Sequence, residues 1–126
     1  MKALSIKQPW AWAIAEGFKT IETRTWHTNY RGELLIVSSK QPDKSMLDWF
    51  QQNIMSKIDN QICLEYGKAI AVANLVDCRV MTQADEDAAM CGVYPKAHSW
   101  ILEDVRKIEP FPVKGQLNLY EVDYEA

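Results

Sequence analysis

Between Gly17 and Trp26 the chain places a lysine, a glutamate, an arginine and an indole within eight residues: Lys19, Glu22, Arg24 and Trp26. Lys19 and Arg24 bring donors suited to an anion or to the edge of a base, Arg24 as a planar fork and Lys19 as a compact point charge. Glu22 is placed to orient the two cations or to accept from an amine on a ligand, and Trp26 offers a flat apolar face. If residues 20–26 form a strand, alternation sends Thr20, Glu22, Arg24 and Trp26 to one face and Ile21, Thr23 and Thr25 to the other. The competing reading is a solvated strand with one surface ion pair, worth at most about 1 kcal/mol. The elements that flank the stretch decide between the two.

Gly17 suits the left-handed conformation that closes a helix, so the chain should turn just before Lys19. Upstream, Pro9 fits the first helical position, and Trp10, Ala13, Ile14 and Gly17 share one face, which predicts a helix over 9–16 that needs tertiary packing to persist. Trp10 and Trp12, two residues apart, must diverge, one toward the core and the other toward a groove. Residues 2–6 and 33–39 read as strands, with a loop over 27–32. A second helix opens at 42–45, carries the stripe Met46, Leu47, Trp49, Phe50, Ile54 and Ile58, and ends at 59–61. Residues 68–81 form the longest strand, apolar almost throughout and bent near Asn74. Thr82 with Asp85 forms a capping box ahead of a short helix over 82–90. Alternation then predicts strands over 99–105 and 119–124, separated by a proline-bounded turn over 110–116. Trp49, Phe50 and Trp100 are assigned to the core, and Asp77 with Arg79 to a solvated or sheet-edge pair. Five or six strands with helices inserted early predict one α+β domain over 1–126, a small and mostly antiparallel β-barrel.

With 126 residues, 48% hydrophobic and 25% charged, the chain suits one soluble core. No apolar run approaches the roughly 18 to 20 residues of a membrane span, and the first residues lack a secretion signal, so a cytoplasmic protein with no membrane partner is expected. Cys63, Cys78 and Cys91 are widely spaced and read as small buried hydrophobes rather than a disulfide framework. His27 and His98 do not suggest a metal centre, and no cofactor is expected. The net charge is −3. Residues 1–40, however, carry Lys2, Lys7, Lys19, Arg24, Arg31 and Lys40 against Glu16, Glu22 and Glu33, so the excess of acid lies wholly in the remainder. A local basic site on an acidic body fits a single strand or a nucleotide-sized group better than a long duplex.

Taken together, Ser5-Ile6-Lys7-Gln8-Pro9-Trp10, the Gly17-x-Lys19-x-x-Glu22-x-Arg24-x-Trp26 element, Tyr30-Arg31-Gly32 and Phe111-Pro112-Val113-Lys114-Gly115 resemble the ASCH domain family, in its activating signal cointegrator homology type. The resemblance covers nearly the whole chain. It implies a PUA-like β-barrel with a cleft for RNA or another nucleic-acid ligand, involving Gln8, Pro9, Trp10, Lys19, Glu22, Arg24, Trp26 and Arg31. Some members are enzymes. In an amidohydrolase branch acting on a modified cytidine, a threonine stands three residues after the motif lysine. Here that position is Glu22, while Thr20 and Thr23 are out of register. Other members are associated with RNA cleavage, for which Lys19 and Glu22 would be the catalytic pair and Tyr30, His27, His98 or Ser99 the proton donor. The sequence therefore leads to a module that binds RNA, single-stranded nucleic acid or a nucleotide in a basic, Trp-lined cleft. The alternative is a metal-independent ribonuclease, or less readily a nucleoside amidohydrolase, on the same cleft.

Overall fold

The computed structural model describes residues 1–58 and 62–125; the helix end expected at 59–61 lies outside them. Six strands form one sheet: β1 (Lys2–Ile6), β2 (Ile21–Arg24), β3 (Gly32–Ser38), β4 (Lys68–Val80), β5 (His98–Pro112) and β6 (Tyr120–Glu121). Their order is β2-β5-β4-β3-β1-β6, and every pairing is antiparallel except that of β1 with β3. The α+β class and the antiparallel bias are those expected, but the barrel is not closed. Among the described residues no ladder joins the edge strands β2 and β6. The reason is local: β6 is two residues long and pairs only with Lys2 and Ala3, which leaves the far half of β1 without a strand on that side. The sheet still curls until the gap is small, because the Arg24 guanidinium on β2 donates to the Ser5 carbonyl on β1 at 2.8 Å.

The curled sheet buries both of its faces. On β3, Leu34 and Ile36 join Leu4, Ile6, Leu75 and Trp100 beneath helix α1 (Trp10–Ala15), which adds Ala11 and Ile14. Leu35 and Val37 point the other way, into a second cluster with Ala3, Ala69, Val72 and Tyr120. A strand buried on both faces needs a continuous apolar run, as β3 and the first half of β4 have. β4 and β5 slip register at Ala69/Ala71, Val72/Asn74 and Leu75/Asp77, and such bulges bend the strand where the sequence placed a bend, at Asn74.

Several elements depart from expectation. β5 runs through Pro110 to Pro112, where a turn was expected. β2 covers only its first four residues, so the later stretch has an open edge on which a proline's missing N–H costs no ladder bond. Trp49 is 47% exposed, whereas Phe50 is buried. They are neighbours on α2 (Lys44–Phe50), about 100° apart around the axis, and only Phe50 reaches the interior. The helix continues through a π-helical turn (Gln51–Met55) into α3 (Ser56–Ile58). Of the cysteines only Cys78 is buried; Cys91 is half-buried and Cys63 exposed. Among the described residues no helix is long and apolar enough to cross a membrane.

The Thr82–Asp85 capping box is present, opening a 3-10 turn (Gln83–Asp85) that leads into α4 (Glu86–Ala89). Arg79 pairs with Asp85 and not with Asp77, which instead lies 3.7 Å from Arg31. Burial alone would push the Asp85 carboxyl up. The Thr82 N–H at 3.1 Å, the Ser99 hydroxyl at 2.9 Å and the Arg79 guanidinium at 2.9 Å outweigh it and hold the group below its ordinary value of 3.8. Asp85→Asn should therefore destabilise the fold at neutral pH by about 1–3 kcal/mol in urea unfolding. A carboxyl depressed in the folded state stabilises above its unfolded value and loses that effect as pH falls through its folded value, so the difference between the two proteins should shrink below about pH 4.

Candidate functional site

A cleft of about 930 Å³ lies where the sheet fails to close. Its walls are the end of β1 (4–7), the β2 stretch (22–26) with Lys19, the segment after β3 (38–41) with Asp43, and the loop 114–118 before β6. Gly115 lets that loop approach β1: a Cβ there would stand 3.1 Å from the Ser5 hydroxyl. Trp10, Gly67, Cys91 and Tyr94 complete the lining.

Lys19 reaches this cleft because of the turn before it. Gly17 takes φ +85°, and the Phe18 and Lys19 amides both donate to the Ala13 carbonyl at 2.9 and 3.1 Å. The Lys19 side chain is 2% exposed and sits on the cleft floor. Its ammonium donates to the Ala89 carbonyl at the end of α4, lies 3.8 Å from Glu22 Oε1, and stands 4.8 Å from the Trp10 ring centroid, within cation–π range. Desolvation lowers the Lys19 pKa from 10.5, with Glu22 opposing the shift.

Glu22 is fully engaged by the protein. Oε1 accepts from the Thr23 amide at 3.2 Å, and Oε2 accepts from Arg24 Nε at 3.2 Å and Nη2 at 2.9 Å. The alternation expected of β2 thus puts Glu22 and Arg24 side by side. Arg24 Nη2 also donates to Ser5, and among the described residues Nη1 has no partner. Asp43 is engaged as well: Oδ2 accepts from Trp10 Nε1 at 3.2 Å, and Oδ1 from the Met46 amide at 3.4 Å and the Ser45 hydroxyl at 3.3 Å. Trp26 lines the cleft with its ring edge-on to Trp100, 4.8 Å between centroids.

Five of the eight candidate ligand residues therefore meet in one place: Trp10, Lys19, Glu22, Arg24 and Trp26. The other three do not line the cleft. Gln8 is buried behind α1, donating to the Glu65 carbonyl at 2.9 Å and accepting from the Trp12 amide at 2.8 Å. Pro9 faces an apolar pocket on the far side of Trp10, with Trp12, Phe18 and Phe50. Arg31 holds its own loop, donating to the Thr28 and Tyr30 carbonyls at 2.9 and 2.8 Å. The proposed proton donors are elsewhere too. Tyr30 donates to the Glu33 carbonyl, Ser99 serves Asp85, and His27 and His98 pack on each other with centroids 5.9 Å apart. The sequence reading missed Lys7, Lys40, Asp43, Cys91, Tyr94 and Lys114 as lining residues. For Lys7 and Lys114 a signal existed, since both fall inside the motifs 5–10 and 111–115.

The profile of the ASCH domain matches residues 4–112. The chain belongs to the ASCH domain family. Activating signal cointegrator 1 of Mus musculus is 26% identical over 127 residues and that of Homo sapiens 27% over 129. Each alignment takes in 95% of this chain but 22% of the relative, so the chain spans about a fifth of the length of the curated relatives it matches. The crystal structure of ASCH from Zymomonas mobilis superposes with a TM-score of 0.65 at 16% identity, covering 96% of this chain and 86% of that one. At that identity the likeness establishes the fold of this ASCH domain, a mixed six-stranded α+β arrangement.

An ammonium destabilised by burial loses its proton below the ordinary lysine value. NMR titration of the Lys19 side chain should place its midpoint below 10.5, and Glu22→Gln should lower it further because the opposing carboxylate is gone. With the folded value beneath the unfolded one, stability should rise with pH between the two, where only the unfolded chain keeps the proton.

Proposed function

We propose that this ASCH domain binds single-stranded nucleic acid, RNA in the first instance, in the cleft at the open edge of its sheet. The observation that carries the reading is the lining itself. Lys7, Lys19, Arg24, Lys40 and Lys114 surround it, and both of its carboxylates, Glu22 and Asp43, are taken up by protein donors. On a chain of net charge −3 that is a concentrated positive site. Trp10 and Trp26 supply the flat faces on which bases stack, worth about 1–3 kcal/mol each. Nucleic-acid binding is common in this PUA-like family, and the names of the cointegrator relatives fit a role connected with nucleic acid. The volume, near the upper end of small-ligand sites, accommodates a nucleotide with a neighbour.

A second reading, RNA cleavage, is favoured by one observation: Lys19 is buried in the cleft lining, and such desolvation moves an amine toward the range of a general base. The Cys91 thiol and the Tyr94 phenol also line the cleft, on the side of Lys19 and Thr23, as candidate proton donors for this reading. An amidohydrolase has less support, because Glu22 occupies the nucleophile position and its carboxylate is locked to Arg24 and Thr23.

Binding of a short internally labelled single-stranded RNA should strengthen as salt is lowered. Trp10→Ala should weaken it by about 1–3 kcal/mol. Lys114→Ala should weaken it modestly and reduce the salt slope by about one phosphate's worth. Absence of measurable affinity even at low salt would remove the nucleic-acid reading. Incubation of the purified protein with the same RNA in chelator separates binder from nuclease: intact RNA leaves the binder, and products that vanish with Lys19→Ala favour the nuclease.

A further inference from the structure

We propose, resting on the nucleic-acid reading above, that the cleft floor receives a phosphate monoester, the terminal phosphate of a strand or of a free nucleotide, and that internal phosphodiesters meet only the rim. Three features of the floor lead there.

The first is its polarity. The floor carboxylate, Glu22, accepts from Thr23 and twice from Arg24 and faces Lys19, so the groups left to meet a ligand are donors: the remaining N–H bonds of Lys19 and Nη1 of Arg24. A lysine ammonium has three N–H bonds; one is spent on Ala89, while Glu22 at 3.8 Å and the Trp10 face at 4.8 Å stand near the group without taking a hydrogen bond from it. An acceptor-rich anion is selected, and the amine edge of a base finds no free carboxylate.

The second is the shape of the donor set. Nε and Nη2 of Arg24 are both occupied, so its fork cannot close on a planar carboxylate. Single donors then converge from β2 and from the turn after α1. A tetrahedral phosphoryl group with three terminal oxygens can collect both, and at neutral pH it carries close to two negative charges. A diester offers two terminal oxygens and a single charge. Lys19 is desolvated, and the arriving dianion would offset that cost.

The third is that the cleft backs onto the core. Its lining includes the buried residues Leu4, Ile6, Lys19, Glu22 and Ser38, and Leu4 and Ile6 belong to the core cluster that continues with Ile14, Leu34 and Trp100. A phosphodiester needs chain on both sides, but a chain end needs it on one. Lys7, Lys40 and Lys114 then stand where the next phosphates would pass.

The test compares one internally labelled RNA oligomer in four forms by fluorescence anisotropy: 5′-phosphate, 3′-phosphate, hydroxyl at both ends, and circular. A nucleoside monophosphate and its nucleoside serve as competitors. One of the end-phosphorylated forms should bind at least about tenfold tighter than the hydroxyl and circular forms. Arg24→Gln should collapse that preference, while Lys114→Ala should weaken all four forms alike. The comparison among wild-type ligands stands even if an Arg24 variant folds poorly. A monophosphate that competes as well as the oligomer keeps the monoester site and assigns it to free nucleotides, at the expense of the strand reading. Equal affinity for all four forms overturns the monoester proposal and leaves the nucleic-acid reading intact. No binding by any form, nor by the monophosphate, overturns both.

Discussion

One buried ammonium sets the terms for the rest of the molecule. Taking a lysine head group out of water costs several kcal/mol unless partners replace its hydration. Lys19 finds them in a carbonyl, a carboxylate and an indole face, each from a different part of the chain: the end of α4, the strand β2, and the start of α1. Glu22 is in turn neutralised by Arg24, whose guanidinium passes on to β1. Removing Glu22 would leave Lys19 and Arg24 without the carboxylate that stands between them, so these residues hold one another in place. Spread over a solvated strand the same residue types would form a weak surface pair; packed here they build a rigid donor array.

That array also explains why the sheet can remain open. An unpaired strand edge invites pairing with another chain unless something blunts it. β2 is only four residues long, and its Thr23 amide is taken by the neighbouring Glu22 carboxylate. On the opposite side β6 covers the beginning of β1, and the Arg24 guanidinium covers the Ser5 carbonyl beyond it. The opening is thus bordered by side-chain bonds in place of a ladder, and the space a closing strand would fill is the space available to a ligand.

Much of this was legible from residue types and spacing. Two-residue alternation put Glu22 beside Arg24, the missing Cβ of Gly17 located the turn that aims Lys19, and Thr82 with Asp85 announced its capping box. Other features depend on quantities that a linear pattern does not carry. Gln8 and Arg31 entered as ligand residues through the resemblance to the family, and a motif position does not say whether a polar side chain faces a groove or satisfies a neighbouring carbonyl. Closure depends on how many residues of β6 pair with β1, and alternation over 119–124 overstated that number. The prolines of β5 signalled a turn because their tolerance requires knowing which side of the strand is unpaired. Lys114 is nearly a hundred residues from Lys19, and only the long return of β5 brings it to the same cleft.

The parallel pairing of β1 with β3, and its contact with β6, have a consequence for how the molecule comes into being. Lys2 pairs with Leu34 on one side and with Glu121 on the other, so β1 is secured by one segment roughly a quarter of the chain away and by another separated from it by nearly the whole sequence. Such distant closures carry an entropic cost before any contact offsets it, and they slow folding. The cleft inherits this order of events, because its walls are contributed by stretches near both ends of the chain. A chain in which β4 and β5 have already paired still lacks the complete cleft until the loop before β6 has arrived against β1, so the cleft is among the last features to be assembled.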